Sequence, residues 1–536
     1  MTNSFVEREP SMPITLRHAS VRVCLLAFLV LPVAATATPD APTVTVSASQ
    51  VKQLKFKWNY VPRANYYELW FKANAGASEV KFGDLPSWHP YATNNISAHL
   101  LDWDGARYRV KACNPGGCTA TAPISVKSVL PSTLGFLKST FTKDHSGFGN
   151  VTALSEDGQT LIVAATDERY DPFYQYPVAY LYVYRRVDGK WLPDARILPD
   201  WSDPYDGSGL VLSIDAAGDR FVLGIPNTGG FAAPQGAVTV YHRTASGWVP
   251  ELQAHGTNET DGIGYGVGID GAGDTVAAGG GYGDGTTFVY RRNGTAWALT
   301  NTIGFAGSGA GCERLALSSD ASTLLRNCSS GGVDAFVAPG FTQRTHVAID
   351  LPPGGYEFGA LAVDATGYTF AISVVKAGDT RQSSPQVAIY QRTTSSYTRQ
   401  ATVTPPGWVD TQRGTEFGRS LAISGDGSFV AIGDGADTAQ GQGAFKTALT
   451  PGDQALGAVY VFQKSGSLWR LRNELKPNYT PGANDGLVSG FGRSVAFGLN
   501  GKTLIVGHPG ESSYLANPDD DQENPTGSES GAVWLY

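Results

Sequence analysis

The chain has 536 residues, too many for a single compact core unless that core is a repeat array. Its 65 glycines and a charged fraction of only 16% favour short strands joined by glycine turns. No stretch keeps a helical period over the roughly 11–18 residues that a helix assignment needs. A formal net charge of −8, with no basic cluster beside aromatic residues, leaves no electrostatic footprint for nucleic acid.

In residues 1–37, Arg17, His18 and Arg22 precede an apolar run over 23–35, and Ala35-Thr36-Ala37 follows as an A-x-A site. This pattern predicts a secretory signal, with the residues before Met12 read as an upstream start. The run is too short to span a bilayer, and the residues before Cys24 are not those of a lipid-anchor site. The expected mature protein is secreted or extracytoplasmic, in the periplasm or on the cell surface, and does not span the membrane. Setting Cys24 aside leaves four cysteines, an even number for an oxidising compartment. Local spacing selects Cys113–Cys118, which bracket an Asn-Pro-Gly-Gly turn, and Cys312–Cys328, each eight residues from Asp320. Opposed positions of a hairpin lie about 4.5–5.5 Å apart between Cα atoms, within disulfide range.

Residues 38–130 hold five runs with period-2 alternation, among them LKFKWNYV, YYELWFKA and ARYRVKACN. Trp58 in the second run, Tyr67-Glu68-Leu69 and the closing Tyr108 strand and hairpin resemble a fibronectin type III domain. That resemblance implies a small β-sandwich serving as a spacer or adhesion module without chemistry, with Tyr108 as a structural corner tyrosine. The Arg-Gly-Asp tripeptide of the family's adhesive loop is absent.

Residues 131–536 repeat one sentence, clearest in EFGRSLAISGDGSFVAIG from Glu416. Gly149, Gly209, Gly264, Gly418 and Gly492 are each followed nine residues later by a turn glycine, and Gly359 by one eight residues later. In the fourth unit Cys312 and Ala321 stand at the two glycine positions. Each unit continues with an aromatic third strand, such as GAVTVYHR, and usually a fourth, such as SGWVPELQA. Four meandering strands per unit make a propeller blade. The seventh unit reaches Tyr536 on its third strand, while a spare strand of the fourth type, LGFLKSTFTK, lies at 134–143. Pairing the two closes a ring and hides both edges. The expected fold is all-β: a seven-bladed β-propeller over 131–536, preceded by the fibronectin type III-like sandwich.

The Phe-Gly starts, Asp-Gly turns and Gly-Ala-Val-Tyr third strands resemble FG-GAP repeats, as in the integrin alpha propeller. The resemblance implies a recognition role and calcium loops. Here the corresponding turns, such as Ser155-Glu-Asp-Gly158 and Asp270-Gly-Ala-Gly273, offer one or two carboxylates, whereas calcium takes six to eight oxygens. They read as bare hairpin turns, with calcium possible only through truncated loops and no other cofactor or metal expected.

Strand order places the first-to-second and third-to-fourth turns on one face and all other connections on the opposite face. The second set is longer and richer in aromatic and acidic residues, as in DERYDPFYQYP at 167–177. Tyr174, Tyr176, Trp201, Tyr205 and Trp408 are therefore the candidate ligand contacts. The alternative for each ring is packing within its own loop. The acidic run at 519–521, with Glu523 and Glu529, reads as a solvated loop. Trp191, Trp248, Trp297 and Trp469 recur at one repeat position and read as structural. No HExxH, Cys-x-x-Cys or Gly-x-Ser-x-Gly motif is present, and no candidate catalytic residues emerge. The expected role is recognition or cell adhesion, with a protein or carbohydrate ligand. A carbohydrate-active enzyme or lectin using the same face, and a structural scaffold of a surface assembly, are the alternatives.

Overall fold

The structure is a computed structural model. It describes residues 36–536 apart from 51–52, 97–102, 104, 131–132, 141–144, 171–176, 188–189, 200–208, 227–234, 257–261, 282–284, 305–313, 329–330, 351–355, 377–384, 407–415, 440, 442, 446–454, 478–487, 499–500 and 513–529. The expected signal up to residue 35 and Cys312 lie outside the described residues.

The amino-terminal unit is built from two sheets. Val44–Gln50, Gln53–Trp58 and Tyr91–Asn95 form the smaller one. Val80–Pro86, Tyr66–Lys72, Arg107–Asn114 and Gly117–Ala120 form the larger, with Ile124–Ser125 beside Arg107–Asn114. Period-2 alternation decides the faces: Leu54, Phe56 and Trp58 point inward, against Tyr67, Leu69, Tyr108 and Val110 of the other sheet. Cys113 and Cys118 are disulfide-bonded across directly opposed positions, 4.1 Å apart between Cα atoms. Tyr108 departs from the corner role expected of it. It packs 4.5 Å from Phe56 in the middle of the core and accepts its hydrogen bond from the Asn94 side chain. The phenol that reaches back to upstream backbone is Tyr67, which accepts from the Val61 amide at 2.9 Å.

Seven antiparallel meanders follow among the described residues. The first comprises Phe148–Leu154, Thr160–Tyr170, Pro177–Val187 and Lys190–Ile197, paired in that order. The next four repeat this arrangement, and the sixth adds flanking strands. The turn glycines sit where a side chain is strained, as at Gly427 with φ 67°; in the fourth sheet Ala321 takes the same conformation, φ 55°. Innermost strands pack successively on one another, and Ser494–Gly498 of the last sheet packs on Phe148–Leu154 of the first. Across that joint the Ser494 hydroxyl donates to the Gly149 carbonyl at 2.9 Å. Aliphatic side chains fill each gap between sheets, as Val222, Val238 and Val240 do against Val267, Ile269 and Val276. A closed circuit of four-stranded sheets is a β-propeller.

The last sheet contains Ser494–Gly498, Thr503–His508 and Ala532–Leu535, completed by Gly135–Leu137 from the start of the region. Trp534 faces Phe136, and Leu535 faces Gly135. This strand is shorter than the expected 134–143. The pairing ends at Leu137, and the ammonium of the next residue, Lys138, turns in toward Glu511 and Ser530. A second difference lies in the sixth sheet, where Gly443–Phe445 adds a strand beyond the four-strand pattern and pairs with the outer edge of Leu468–Lys476. Trp191, Trp248, Trp297 and Trp469 each stand opposite a cation (Arg186, Arg243, Arg292 and Lys464) while their rings cover apolar clusters. Val126, Leu130 and Leu134 carry the sandwich core without a break into Phe136, Trp534 and Tyr536.

Candidate functional site

The propeller's two rims differ in kind. On one, the short turns are tied to one another by main-chain hydrogen bonds. Asp157 donates to Ala216 (3.1 Å), Ala216 to Gly271 (3.1 Å) and Gly271 to Ser319 (2.7 Å); Asp320 donates to Ala365 (2.9 Å) and Ala365 to Gly425 (3.1 Å). Several of their carboxylates bond amides of the same turn, while Asp219 and Asp274 pair with Arg185 and Arg292. Asp270 accepts from the Asp274 and Thr275 amides at 2.7 and 2.9 Å. Asp364 accepts from the amides of Thr366, Tyr368 and Thr369. Burial pushes the Asp215 carboxyl up to about 6. Carboxylates that are few and already aimed at backbone amides do not make a calcium cage, so the donor set at these turns does not fit that ion.

On the opposite rim, second strands end, third strands begin and fourth strands end. Three neighbouring sheets (sixth, seventh and first) each carry an acid–base pair there with at least one buried member, and only Lys138–Glu511 is buried on both sides. Glu168 accepts from the Tyr182 hydroxyl at 2.6 Å and from Arg196 at 2.7 Å. Asp437 meets the Lys476 ammonium and accepts from Tyr460 at 2.7 Å. Glu511 meets the Lys138 ammonium. The Tyr536 hydroxyl donates to the Lys476 carbonyl and that of Tyr184 to the Lys138 carbonyl, both at 2.7 Å, so each sheet is pinned to its neighbour. Burial, followed by the Asp437 charge, pushes the Tyr460 phenol far up. These pairs were not anticipated from sequence, although a signal exists: Glu168, Asp437 and Glu511 share one nineteen-residue offset from Gly149, Gly418 and Gly492.

At the entry of the innermost strands of the same three sheets lies a polar group. Arg493 donates to Asn150 at 3.1 Å and sits 3.7 Å from Glu416, and Arg419 pairs with Glu416 at 3.0 Å. Burial and the neighbouring Arg419 lower the Arg493 pKa. All three charged side chains keep some solvent contact, so they stand at an accessible mouth.

The candidate contacts Tyr174, Tyr176, Trp201, Tyr205 and Trp408 lie outside the described residues, as does the acidic run at 519–521 with Glu523 and Glu529. Cys328 ends the strand Thr323–Cys328, and its expected partner Cys312 lies outside them too. Among the described residues, the trio with converging metal-ligand atoms is Glu68, Cys113 and Cys118, and both sulfurs are committed to the disulfide. No helix among the described residues is long and apolar enough to cross a membrane.

No family model matches the chain, and no curated protein does. Among solved structures, the β-propeller domain of Cps50 (Swd1) from Myceliophteria thermophila is similar at 8% identity and a TM-score of 0.45. The match covers 75% of this chain and 99% of that one. The propeller assignment stands on the strand pairing and the closed circuit described above.

Proposed function

We propose that this is an exported, non-catalytic recognition or adhesion protein. In this reading the seven sheets are seven blades of an FG-GAP-type propeller, preceded by a fibronectin type III-like spacer. The ligand is a protein or carbohydrate on a cell surface or matrix, held by the rim from which the long connections depart. The observation that carries the reading is the contrast between rims. On one rim the first-to-second turns of the first six sheets are linked by main-chain hydrogen bonds, which leaves those amides and carbonyls less open to a partner. The other gathers ion pairs anchored on the buried Glu168, Lys476, Lys138 and Glu511, and a partly exposed arginine–glutamate group, on three adjacent sheets, a rigid base for variable connections. The test is a glycan array and a matrix-protein panel probed with the secreted chain. Saturable binding, weakened in the Trp201→Ala and Trp408→Ala variants with melting unchanged, supports the reading. Unchanged affinity in both variants rejects this rim, and a new reducing end on a bound glycan rejects the non-catalytic role.

A further inference from the structure

The sandwich carries a feature that the propeller does not use. Trp88 is 77% exposed, the highest exposure of any large apolar side chain among the described residues. It is the first of three adjoining rings: Trp88 lies edge-on to His89 at 5.6 Å, and His89 lies 4.0 Å from Tyr91. Their backbone is fixed. The His89 amide donates to the Pro86 carbonyl and the Trp58 amide to the Pro90 carbonyl, both at 2.9 Å. The rings are therefore held out from an anchored turn.

Tyr91 opens the edge strand of the smaller sheet, and the cross-strand register continues the cluster onto that sheet's outer face. Lys57 stands beside Tyr91, and Lys55 stands one row further along with its ammonium 5.7 Å from the Tyr91 ring. Beyond them the Gln53 amide donates to Asn95 at 3.0 Å. Serine and threonine hydroxyls fill the remaining outward positions, and no carboxylate occurs among them. In a chain of net charge −8, a face with two lysines and no acid is set apart electrostatically.

We propose that this face, with the Trp88–His89–Tyr91 cluster at its edge, is a binding platform for an anionic polysaccharide. Aromatic faces carry negative charge density and pack against the polarised C–H face of a sugar ring. The amides and hydroxyls match sugar hydroxyls, and the two ammonium groups match carboxylates or sulfates. A protein partner that buried the rings would instead desolvate two lysines and a row of amides beside them, at a cost in unmatched polar groups. The platform is separate from the propeller rim and does not depend on that rim's role.

The experiment is affinity electrophoresis and calorimetry of the full chain with polygalacturonate, dextran sulfate and neutral dextran. Binding to polygalacturonate or dextran sulfate is expected, and which of them binds identifies the acid as carboxylate or sulfate. The doubly substituted Trp88→Ala, Tyr91→Ala chain should lose affinity about tenfold or more. The Lys55→Gln, Lys57→Gln chain should lose the preference over neutral dextran. Trp88 lies on an exposed turn and Tyr91, Lys55 and Lys57 on the sheet's outer face, so thermal melting should be unchanged. Binding that survives the ring substitutions, equal binding to neutral dextran, or no binding to either polyanion overturns the proposal. Loss of a protein ligand instead, with polysaccharide binding intact, also overturns it.

Discussion

Phe136 and Trp534 face each other on neighbouring strands from opposite ends of the propeller region, with ring centroids 5.2 Å apart and planes tilted by 54°. Trp534 is fully buried, and its indole N–H donates to His508 Nδ1 at 3.2 Å. This contact is the seam of the ring. Trp534→Ala is expected to cost about 3–5 kcal/mol in urea denaturation, the range for truncating a buried aromatic. A loss below about 1 kcal/mol would show that the seam does not hold the ring.

His508 and Asp215 should give opposite pH responses. Burial, with the Lys138 charge added, pushes His508 down to about 3. Its folded pKa lies below its unfolded one, so its contribution to stability is present above about pH 6.5 and is lost as pH falls toward 3. Asp215 lies the other way. Its folded pKa near 6 exceeds the unfolded value, so its contribution is complete below about pH 4 and is lost as pH rises through 6. Asp215→Asn keeps an acceptor for the Asp219 amide, now 2.8 Å from Oδ1. It should remove about 1–3 kcal/mol of stability change between pH 4 and 7. Paired denaturation curves at those pH values check it; an identical pH dependence in the variant counts against a buried, protonated Asp215.

Ala321 occupies a left-handed position that glycine fills in the other sheets whose turns are described. Ala321→Gly should stabilise the chain by about 0.5–1 kcal/mol, relief of backbone strain outweighing the added freedom of the unfolded chain. The reverse change at Gly367 should destabilise, since a Cβ there falls 2.3 Å from Thr323 Oγ1. Melting temperatures of the two variants should move in opposite directions.

The Lys138–Glu511 pair is shut off from solvent. Lys138→Met alone leaves a buried carboxylate and should cost about 3–5 kcal/mol, whereas Lys138→Met with Glu511→Leu should recover much of that loss. A double-mutant cycle measures the coupling. Additive losses would mean that the two charges act separately.

The sequence made the repeat legible because each hairpin turn and each inward-facing strand is specified within one unit. The glycine ruler from Gly149 to Gly492 and the closing strand at Gly135–Leu137 follow from such local rules. The Lys138–Glu511 pair was not legible as a pair, because the two residues meet only after the whole ring has closed. Lys138 also reads as an ordinary outward residue of an alternating strand. Tyr108 misled for a related reason: its position suggested a corner, while its hydroxyl partner, Asn94, is set by the packing of a different strand. For Tyr174, Tyr176, Trp201, Tyr205 and Trp408, strand order and loop composition point to a rim, and nothing in their spacing fixes where their rings go.

Closing the last sheet with an early strand has a consequence during synthesis. Gly135–Leu137 leaves the ribosome long before Ala532–Leu535, so until translation reaches that stretch its backbone groups are open to any stray β-strand. A chain cut before Ala532 would keep two bare edges instead of one covered seam, and such a fragment should stick to its siblings far more readily than a chain that includes those residues.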